Sequence, residues 1–430
     1  LTFPRTTFTN SCRFDDGSDD YLSKTFGSSG NRKTWSFSTW VKRTHLANGN
    51  MNILGTDYTS LAEAYLIFRP NERLMYQQYE SGGAGNLYTL ETNMQFKDTS
   101  AFYHILLVWD TTQSTSSDRI KMYVNGSQIT SFNSSTYPTQ NLDGVWNSNR
   151  VHYVGDDAID GTNFDGYLAE TIFVDGQALT PTSFGATNPV TNIWEPIAYK
   201  GTYGTNGFKL NYSDSSALGD DTSGNGNDWT VNNLTSIDQS TDTPSNNFCT
   251  LSRLDIPTNS SGSSGTLPTL TNANLSITNT SSAFREVRST YYLTTGKWYW
   301  EAKVTRLDET LQVGVVLSDY SAGSGSRRMY QNNGNKYTPN SSSYGASFTT
   351  NDIVGIALNL DDGEITFYKN GSTQGVAATD LISGIDVTGW TPAVNSYDGD
   401  CDLNFGSPPY AISSGNADAN GHGNFEYAVP

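Results

Sequence analysis

Two short acidic loops contain the residues whose chemistry best suits a metal ion. Both cluster carboxylates among glycines: residues 155–166 hold Asp156, Asp157, Asp160 and Asp165, and residues 219–228 hold Asp220 and Asp221. Calcium binds roughly six to eight oxygens, which flexible carboxylate and carbonyl loops supply. Neither loop has the ligand spacing of an EF-hand, and the same residue types form ordinary turns. The sequence requires no cofactor. Calcium (Ca2+) is the one that these loops would suit, and turn formation is the alternative.

Two polar segments hold aromatic side chains that could stack against the faces of sugar rings. They are residues 76–88 and residues 323–344, which we expect to be long loops. Loops on a rigid scaffold are common recognition sites. The candidates for binding a glycan or a protein partner are Tyr76, Tyr79, Tyr88, Arg327, Arg328, Tyr330 and Tyr337. In the alternative interpretation, these tyrosines cover the edges of the core.

Alternating apolar and polar residues predict β-strands along most of the chain. Residues 119–124 alternate in this way and end at Asn125-Gly126, a dipeptide that favours a tight hairpin. The same arrangement recurs before Asn370-Gly371. Residues 102–110 are apolar at nearly every position, which predicts a strand buried on both faces. We identify no long segment with helical periodicity, so the sequence predicts an all-β fold.

The bulk composition restricts the possible partners. With 430 residues, the chain is long enough for about two or three domains, each with its own core. Its net charge of −18 repels phosphate backbones, so nucleic acid and anionic membranes are unsuitable partners. No apolar run approaches the length of about 20 residues that spans a bilayer. Cys12, Cys249 and Cys401 match no disulfide framework or metal spacing, and we expect buried thiols.

Shifts in composition predict five segments. Residues 1–188 form a sandwich, and a Gly/Asn-rich extension at residues 189–255 packs on it. The Ser/Gly/Pro-rich residues 256–272 predict a linker. A second sandwich follows at residues 273–410, and residues 411–430 form a C-terminal tail in which residues 425–429 look like the start of a strand.

The motifs of both sandwiches resemble known domain families. The first resembles a concanavalin A-like, laminin G-type jelly roll through residues 11–23 (SCRFDDGSDDYLS), 35–43 (WSFSTWVKR), 103–110, 121–126 and 164–175 (FDGYLAETIFVD). The second resembles a SPRY domain through residues 296–301 (GKWYWE), 313–316 (VGVV), 352–360, 365–371, 390–394 (WTPAV) and 403–406 (LNFG). These resemblances imply two jelly-roll β-sandwich domains. SPRY domains bind protein or peptide partners through loops and are not enzymes.

The order of these domains, with residues 242–251 between them and residues 420–430 after them, resembles virion proteins of marine tailed phages. The resemblance implies a structural or recognition protein on the extracellular virion surface, such as a fibre, spike or head decoration. It implies contacts with other virion proteins, assembly into homo-oligomers, and loops displayed to host glycans. It also implies further residues beyond Pro430. The alternatives are a secreted or cell-surface bacterial lectin and a glycan hydrolase.

The spacing of the acidic residues argues against a glycan hydrolase. Glycanases of the concanavalin A-like fold resemble one another in a Glu-x-Asp-x-(x)-Glu pattern, which places carboxylates about 5 Å apart on one face of a strand. This sequence has no such pattern. The carboxylate cluster that comes nearest to it, Asp308 and Glu309, lies in a predicted turn. The four histidines are scattered, and we expect His104 to be a core imidazole. The sequence therefore predicts a protein without enzyme activity.

Overall fold

The described part of the chain consists of β-strands and four short 3₁₀ helices. The structure is a computed structural model that describes residues 5–46, 49–57, 62–80, 87–157, 163–254, 256, 267–281, 283–317, 327–338, 340–382 and 389–430. The 3₁₀ helices are η1 (Asp16–Ser18), η2 (Ser116–Asp118), η3 (Pro181–Ser183) and η4 (Ser236–Asp238). None of the helices described here has the length and apolar character of a membrane span. The predicted all-β fold is confirmed.

The chain divides into two units, Leu1–Asn247 and Phe248–Pro430. The first unit contains β1 (Ser11–Phe14), β2 (Tyr21–Thr25), β3 (Thr34–Arg43), β4 (Met51–Thr56), β5 (Glu63–Phe68), β6 (Arg73–Tyr79), β7 (Leu87–Gln95), β8 (Tyr103–Asp110), β9 (Ile120–Val124), β10 (Ser127–Gln128), β11 (Phe132–Thr136), β12 (Val151–Val154), β13 (Gly166–Asp175), β14 (Gly185–Thr187), β15 (Trp194–Pro196), β16 (Phe208–Leu210), β17 (Thr230–Asn232) and β18 (Gln239–Ser240). The second contains β19 (Thr269–Thr271), β20 (Ser276–Thr278), β21 (Arg285–Arg288), β22 (Lys297–Leu317), β23 (Arg327–Gln331), β24 (Asn335–Tyr337), β25 (Ser341–Ser343), β26 (Ile353–Asn359), β27 (Glu364–Lys369), β28 (Ser372–Ala378) and β29 (Trp390–Asn404).

Two large antiparallel sheets form the first unit. One has the strand order β10-β9-β8-β3-β13-β1-β18, with β16 also paired to β13, and the other has the order β11-β7-β6-β5-β4-β12-β2-β17. Side chains alternate along each strand, so every second residue of β3 enters the core between the sheets. Trp35 of β3 and Trp109 of β8 are fully buried there, and their rings stack 6.0 Å apart.

The outer face of the first of these sheets is covered as well. Phe184, which follows β13, packs there with Leu106 and Val108 of β8. The hairpin β14–β15 lies against the same face, where Trp194 packs near Trp40. Strand β8 is therefore buried on both faces, as its apolar sequence predicts.

The extension after the first sandwich also contributes strands to it. Strand β16 pairs with β13, β17 with β2 and β18 with β1. The extension therefore completes both sheets at their edges, which a segment that only packed on the surface would not do.

Two long strands run through the single sheet that contains the described strands of the second unit. Strands β22 and β29 pair along most of their length, with register shifts at Val304/Arg306 and at Leu307/Thr310. Such bulges let a strand bend, and the two halves of β22 pair with different partners, β26 and β23. Asp308 and Glu309 therefore lie within a bulged strand, and the predicted turn at this point is wrong.

The division between the units comes earlier than the sequence predicts. Residues 248–254 lie in the second unit, where Cys249 and Leu251 are part of the core. Residues 269–271 of the predicted linker form β19, and residues 257–266 lie outside the described residues. The polar composition of this region concealed the few apolar side chains that anchor it. The three cysteines are buried, as expected.

Candidate functional site

Most of the tyrosines predicted to bind a ligand are buried. Tyr76 of β6 and Tyr330 of β23 have no exposed surface, and Tyr88 of β7 is only 3% exposed. In the described parts of the two segments expected to be loops, these tyrosines lie on strands, and buried rings pack inward, as Tyr76 does against Trp109. The structure contradicts their expected role as exposed stacking surfaces and supports the alternative interpretation. Tyr79 and Tyr337 are partly exposed.

The two predicted basic residues are paired with carboxylates. Arg328 is 2% exposed and donates two hydrogen bonds to Asp380, at 2.9 and 2.7 Å. Arg327 Nε donates to Glu286 Oε2 at 2.8 Å. The hydrogen bond from Arg328 lowers the pKa of Asp380, which strengthens this pairing. Both candidate arginines are therefore neutralised by carboxylates of the same domain.

The second acidic loop behaves as a turn. Asp221 Oδ1 accepts hydrogen bonds from the backbone N–H groups of Lys209 and Ser223, at 2.9 and 2.8 Å. Its Oδ2 accepts from the backbone N–H of Asn227 at 2.9 Å. Asp220 is exposed. Because backbone donors occupy both oxygens of Asp221, the geometry favours turn formation over the predicted metal site.

The first acidic loop contributes one carboxylate to a mixed cluster. Asp165 lies beside Asp16 and His45, and one ligand atom from each lies within 4.8 Å of the others. Asp156 and Asp157 are buried, and the Asp157 backbone N–H donates to Asp156 Oδ1 at 2.7 Å. Asp160 lies outside the described residues. The cluster therefore retains one predicted ligand and adds two that the sequence did not indicate.

Sheet topology brings the three residues of this cluster together. Gly166 of β13 pairs with Phe14 of β1 and with Arg43 of β3. Asp16, His45 and Asp165 lie just beyond these three positions, so they meet at one end of the sheet. Their distance along the chain hides this from sequence reasoning.

The chemistry of the cluster differs from that of a calcium site. His45 Nδ1 lies 3.4 Å from Asp165 Oδ2 and 3.6 Å from Asp16 Oδ2. Thr44 Oγ1 donates to the other oxygen of Asp165 at 2.6 Å and orients it. Calcium takes oxygen ligands, whereas imidazole together with carboxylates suits zinc and related ions. The cluster can pair a protonated His45 with two carboxylates, or present an imidazole and two carboxylates to a transition metal.

A cavity of about 460 Å³ opens beside the hairpin β14–β15. We call it the Trp194 cavity. Its volume is in the range of about 300–1,000 Å³ that is typical of small-molecule sites. Three apolar side chains (Phe102, Ile193 and Trp194) and four uncharged polar ones (Asn125, Ser127, Thr187 and Asn192) line it. Among the described residues of its lining, none is charged.

Close backbone contacts hold the Trp194 ring in place. A Cβ atom at Gly126 would lie 2.5 Å from the ring, and one at Gly185 would lie 2.3 Å from it. Only glycine permits such an approach. Trp194 Nε1 also donates to His104 Nδ1 at 3.1 Å, and the two rings stack with centroids 5.9 Å apart.

The electrostatics of His104 suit its role as an acceptor. Burial lowers the pKa of His104 to about 3, so the imidazole is neutral at physiological pH. Its Nε2 lies 2.9 Å from Ser38 Oγ. A neutral ring with its proton on Nε2 can donate to Ser38 and accept from Trp194 at Nδ1. The only polar atom of the indole is therefore occupied, and the rest of the Trp194 ring is apolar. The predicted core imidazole at His104 is confirmed by its burial.

Two tight turns position the polar lining. Asn125 and Gly126 have φ angles of 47° and 80°, as expected for an Asn-Gly hairpin turn, and Asn125 Oδ1 accepts from the His104 backbone N–H at 2.8 Å. The backbone N–H of Asn192 donates to Asn188 O at 2.8 Å across the tip of the β14–β15 hairpin. The sequence predicts the Asn125-Gly126 turn but gives no sign that it meets Trp194.

Comparisons with known proteins identify both sandwiches. Residues 16–183 match the family model of the concanavalin A-like lectin/glucanases superfamily, and residues 297–406 match the SPRY domain model. The chain carries a concanavalin A-like domain followed by a SPRY domain. The hairpin tip and Trp194 lie beyond the residues matched in the concanavalin A-like domain.

Individual relatives cover only part of the chain. The E3 ubiquitin-protein ligase RKP of Arabidopsis thaliana is 29% identical over 140 residues, which are 30% of this chain and 10% of that protein. The probable ATP-dependent RNA helicase ddx1 of Dictyostelium discoideum is 30% identical over 128 residues, or 29% of this chain and 16% of that protein. This chain therefore spans only a small part of the length of these curated relatives.

Two solved structures are also similar to parts of the chain. The SPRY domain of human HERC1 is 21% identical with a TM-score of 0.27, over 30% of this chain and 87% of that one. The heptameric SAP-like pentraxin of Limulus polyphemus is 14% identical with a TM-score of 0.30, over 46% of this chain and 86% of that one.

Proposed function

We propose that this protein is a non-enzymatic recognition component on the surface of a bacteriophage virion, as a fibre, spike or head decoration. The observation that carries the proposal is the Trp194 cavity, a preformed site on a lectin-like sandwich whose described lining contains no carboxylate, histidine, lysine or cysteine that could act as acid or base or activate a hydroxyl. Catalysis needs positioned groups of that kind, whereas recognition needs only complementary surfaces. The site therefore supports binding without chemistry.

The placement on a virion draws its support from the order of domains. A concanavalin A-like sandwich and a SPRY sandwich, with residues 242–251 between them and residues 420–430 after them, resemble phage virion proteins as a set. We propose that the partners are other virion proteins, further copies of this chain and a glycan of the host surface. A net charge of −18 makes nucleic acid and anionic membranes poor partners.

Purified particles test this placement. Mass spectrometry of phage particles banded in a density gradient should detect the chain at a constant ratio to the major capsid protein. Antibodies against the chain should label intact particles in negative-stain images, because the proposal puts it on the surface. A chain that is missing from banded particles, or detected only after they are disrupted, would contradict the proposal.

A bacterial lectin acting alone is the second candidate. The uncharged cavity favours it equally, since a lectin needs the same kind of site. Immunoblots of uninfected bacteria separate the two: a lectin would be present in the medium or on the cell surface without phage. The glycan hydrolase has no support from the Trp194 cavity, where no carboxylate pair is present among the described lining residues.

A further inference from the structure

We propose that the Trp194 cavity binds a neutral saccharide, with the apolar face of the Trp194 ring as its stacking surface. This inference rests on the proposed recognition function and names the class of ligand. It places the site where the concanavalin A-like domain, through Phe102, Asn125 and Ser127, meets the hairpin that follows it. The hairpin residues of the lining, including Trp194, lie beyond the residues that match the family model.

The apolar part of the lining suits a sugar ring. The faces of neutral hexoses carry C–H groups that pack on aromatic rings, whose faces are negative and whose edges are positive. Trp194 supplies such a ring, and Phe102 and Ile193 extend the apolar surface beside it. Because His104 already accepts the indole N–H, the ring does not need a polar partner from the ligand.

The polar part of the lining suits hydroxyl groups. Asn192 offers an amide donor and acceptor, and Ser127 and Thr187 offer hydroxyls that can do both. Asn125 Oδ1 is held by the His104 backbone N–H, which fixes the carboxamide and orients its NH₂ group as a donor. Sugar hydroxyls are themselves donors and acceptors, so they can pair with each of these groups.

The absence of charge among the described lining residues selects against acidic sugars. A carboxylate that enters the cavity would lose water without gaining a cationic partner, which is costly. The net charge of −18 adds a repulsive field. We therefore expect neutral sugars to bind in preference to sialylated or uronic ones.

The cavity is also rigid before a ligand arrives. Hydrogen bonds from Asn188 N–H to Ile193 O and from Asn192 N–H to Asn188 O, both 2.8 Å, close the hairpin tip. The backbones of Gly126 and Gly185 each approach the Trp194 ring closely and limit its movement. A preformed site loses little conformational entropy on binding, which allows a shallow cavity to reach useful affinity.

Saturation-transfer NMR and calorimetry on the full chain test the inference. The probes are lactose, maltose and cellobiose as neutral sugars and 3′-sialyllactose as the acidic one, each at millimolar concentration. We expect saturation transfer to at least one neutral sugar, and binding of 3′-sialyllactose that is about tenfold weaker than that of lactose or undetectable.

Two exposed positions of the same hairpin supply a matched pair of variants. Ile193 is 59% exposed and lines the cavity, whereas Val190 is 90% exposed and does not. Ile193→Arg should weaken binding of the neutral sugar by about tenfold or more, and Val190→Arg should leave it unchanged. Asn192→Gly removes the amide but keeps a residue that tolerates the φ of 58°, and should also weaken binding.

Each outcome decides the inference. It is overturned if none of the three neutral sugars binds, if 3′-sialyllactose binds as well as lactose, or if Ile193→Arg binds like Val190→Arg. Thermal melts show whether the variants fold. Loss of the saccharide site would leave a virion location intact, and absence from virions would leave saccharide binding intact, so the two failures are distinguishable.

Discussion

Two buried histidines couple the stability of the first unit to pH. Burial lowers the pKa of His104 and His152 to about 3, from an ordinary value of 6.5. Between pH 6.5 and pH 3, the unfolded chain therefore binds protons at these histidines that the folded chain does not bind. The contribution of the two neutral imidazoles to the free energy of unfolding is complete above pH 6.5 and is lost as the pH falls towards 3. At pH 5 we expect a loss on the order of 2 kcal/mol for each histidine.

Urea denaturation of the full chain at pH 7.5 and pH 5.0 checks this. His104→Gln should reduce the difference between the two pH values, and the same change at the exposed His422 should not. Asp20 has the opposite effect on the pH dependence of stability, because burial raises its pKa to about 7. The contribution of its protonated carboxyl group to the free energy of unfolding is therefore lost as the pH rises from 3.8 to 7. Equal pH dependence in the wild type and in His104→Gln would contradict the prediction.

The cluster of Asp16, His45 and Asp165 predicts a metal preference. Because imidazole and carboxylates suit zinc, we expect Zn²⁺ to raise the thermal unfolding temperature, and Ca²⁺ to leave it almost unchanged. Asp16→Asn should abolish the effect of zinc. Asp19→Asn is the control, because Asp19 is exposed and Asn tolerates its φ of 56°. An equal response to zinc in both variants would show that the ion binds elsewhere.

For individual residues, the sequence shows which side chains have suitable chemistry better than it shows where those side chains lie in the fold. Tyr76 and Tyr330 look like exposed rings because their neighbours in sequence are polar, yet strand pairing turns them inward. Trp194 and His45 gain their roles from residues far along the chain, at His104 and Asp165. No local pattern records such contacts, so the predicted metal ligands include Asp165 but omit Asp16 and His45.

The hairpin β14–β15 depends on a close contact between Gly185 and the Trp194 ring. The backbone of Gly185 lies outside the left-handed region, so alanine would be strained only by its Cβ, 2.3 Å from the ring. We expect Gly185→Ala to destabilise the first unit by about 1–3 kcal/mol and to weaken sugar binding, since the ring must move. Gly27→Ala is the control, because no atom lies within 4 Å of its added Cβ.

Urea denaturation of both glycine variants gives the comparison. Gly27→Ala should change stability by no more than about 0.5 kcal/mol. If Gly185→Ala were equally neutral, the ring would have room to move, and the rigidity assigned to the Trp194 cavity would be wrong.

The C-terminal tail docks on a buried carboxylate and forms no strand. Glu301 of β22 has no exposed surface, and its two oxygens accept from the backbone N–H groups of Glu426 and Tyr427, at 3.0 and 2.9 Å. Phe425 packs edge-on against Tyr299, with ring centroids 5.1 Å apart. The aromatic residues that suggested a strand at 425–429 thus serve to anchor an irregular segment.

Replacing this carboxylate should release the tail. Glu301→Gln keeps the size of the side chain but turns one acceptor into an NH₂ group, which faces a backbone donor. We expect the amides of Glu426 and Tyr427 to exchange with deuterium about tenfold faster or more, measured by mass spectrometry. Glu309→Gln, an exposed position on the same strand, should have no effect. Unchanged exchange in Glu301→Gln would show that aromatic packing alone holds the tail.

Sequence reasoning about elements succeeds where the determinants are local. The Asn125-Gly126 and Asn370-Gly371 hairpins are predicted because two adjacent residues set the turn, and both asparagines have a φ of 47°. The bulges of β22 escape prediction because they arise from its pairing with β29, a strand about 90 residues away in the sequence. For the same reason, Asp308 and Glu309 were expected in a turn.

For the whole molecule, composition and alternation were sufficient to predict two β-sandwiches. Each unit has its own core, the first around Trp35 and Trp109 and the second around Trp300 and Trp390. The division between them was predicted less well. Linker composition at residues 256–272 is a strong signal, but Cys249 and Leu251 lie before it and are buried in the second core. Two apolar side chains in a polar segment are too few to reveal a boundary.

The observed boundary before residue 248 and the boundary predicted at residue 256 lead to different expectations for fragments of the second unit. Residues 248–430 contain the whole second unit and should unfold cooperatively by themselves, whereas residues 256–430 follow the boundary predicted from the sequence. The shorter fragment lacks Leu251, which is fully buried and donates its backbone N–H to Asn274 O at 3.0 Å. Loss of a buried leucine alone costs about 2–5 kcal/mol, so we expect the shorter fragment to be less stable by at least that amount.

Urea melts followed by circular dichroism measure the free energy of unfolding of both fragments. The substitution Leu251→Ala in the longer fragment separates the contribution of the side chain from that of the backbone contacts. Equal stability of the two fragments would mean that the second core is complete without residues 248–255, and that the boundary predicted from composition was the correct one.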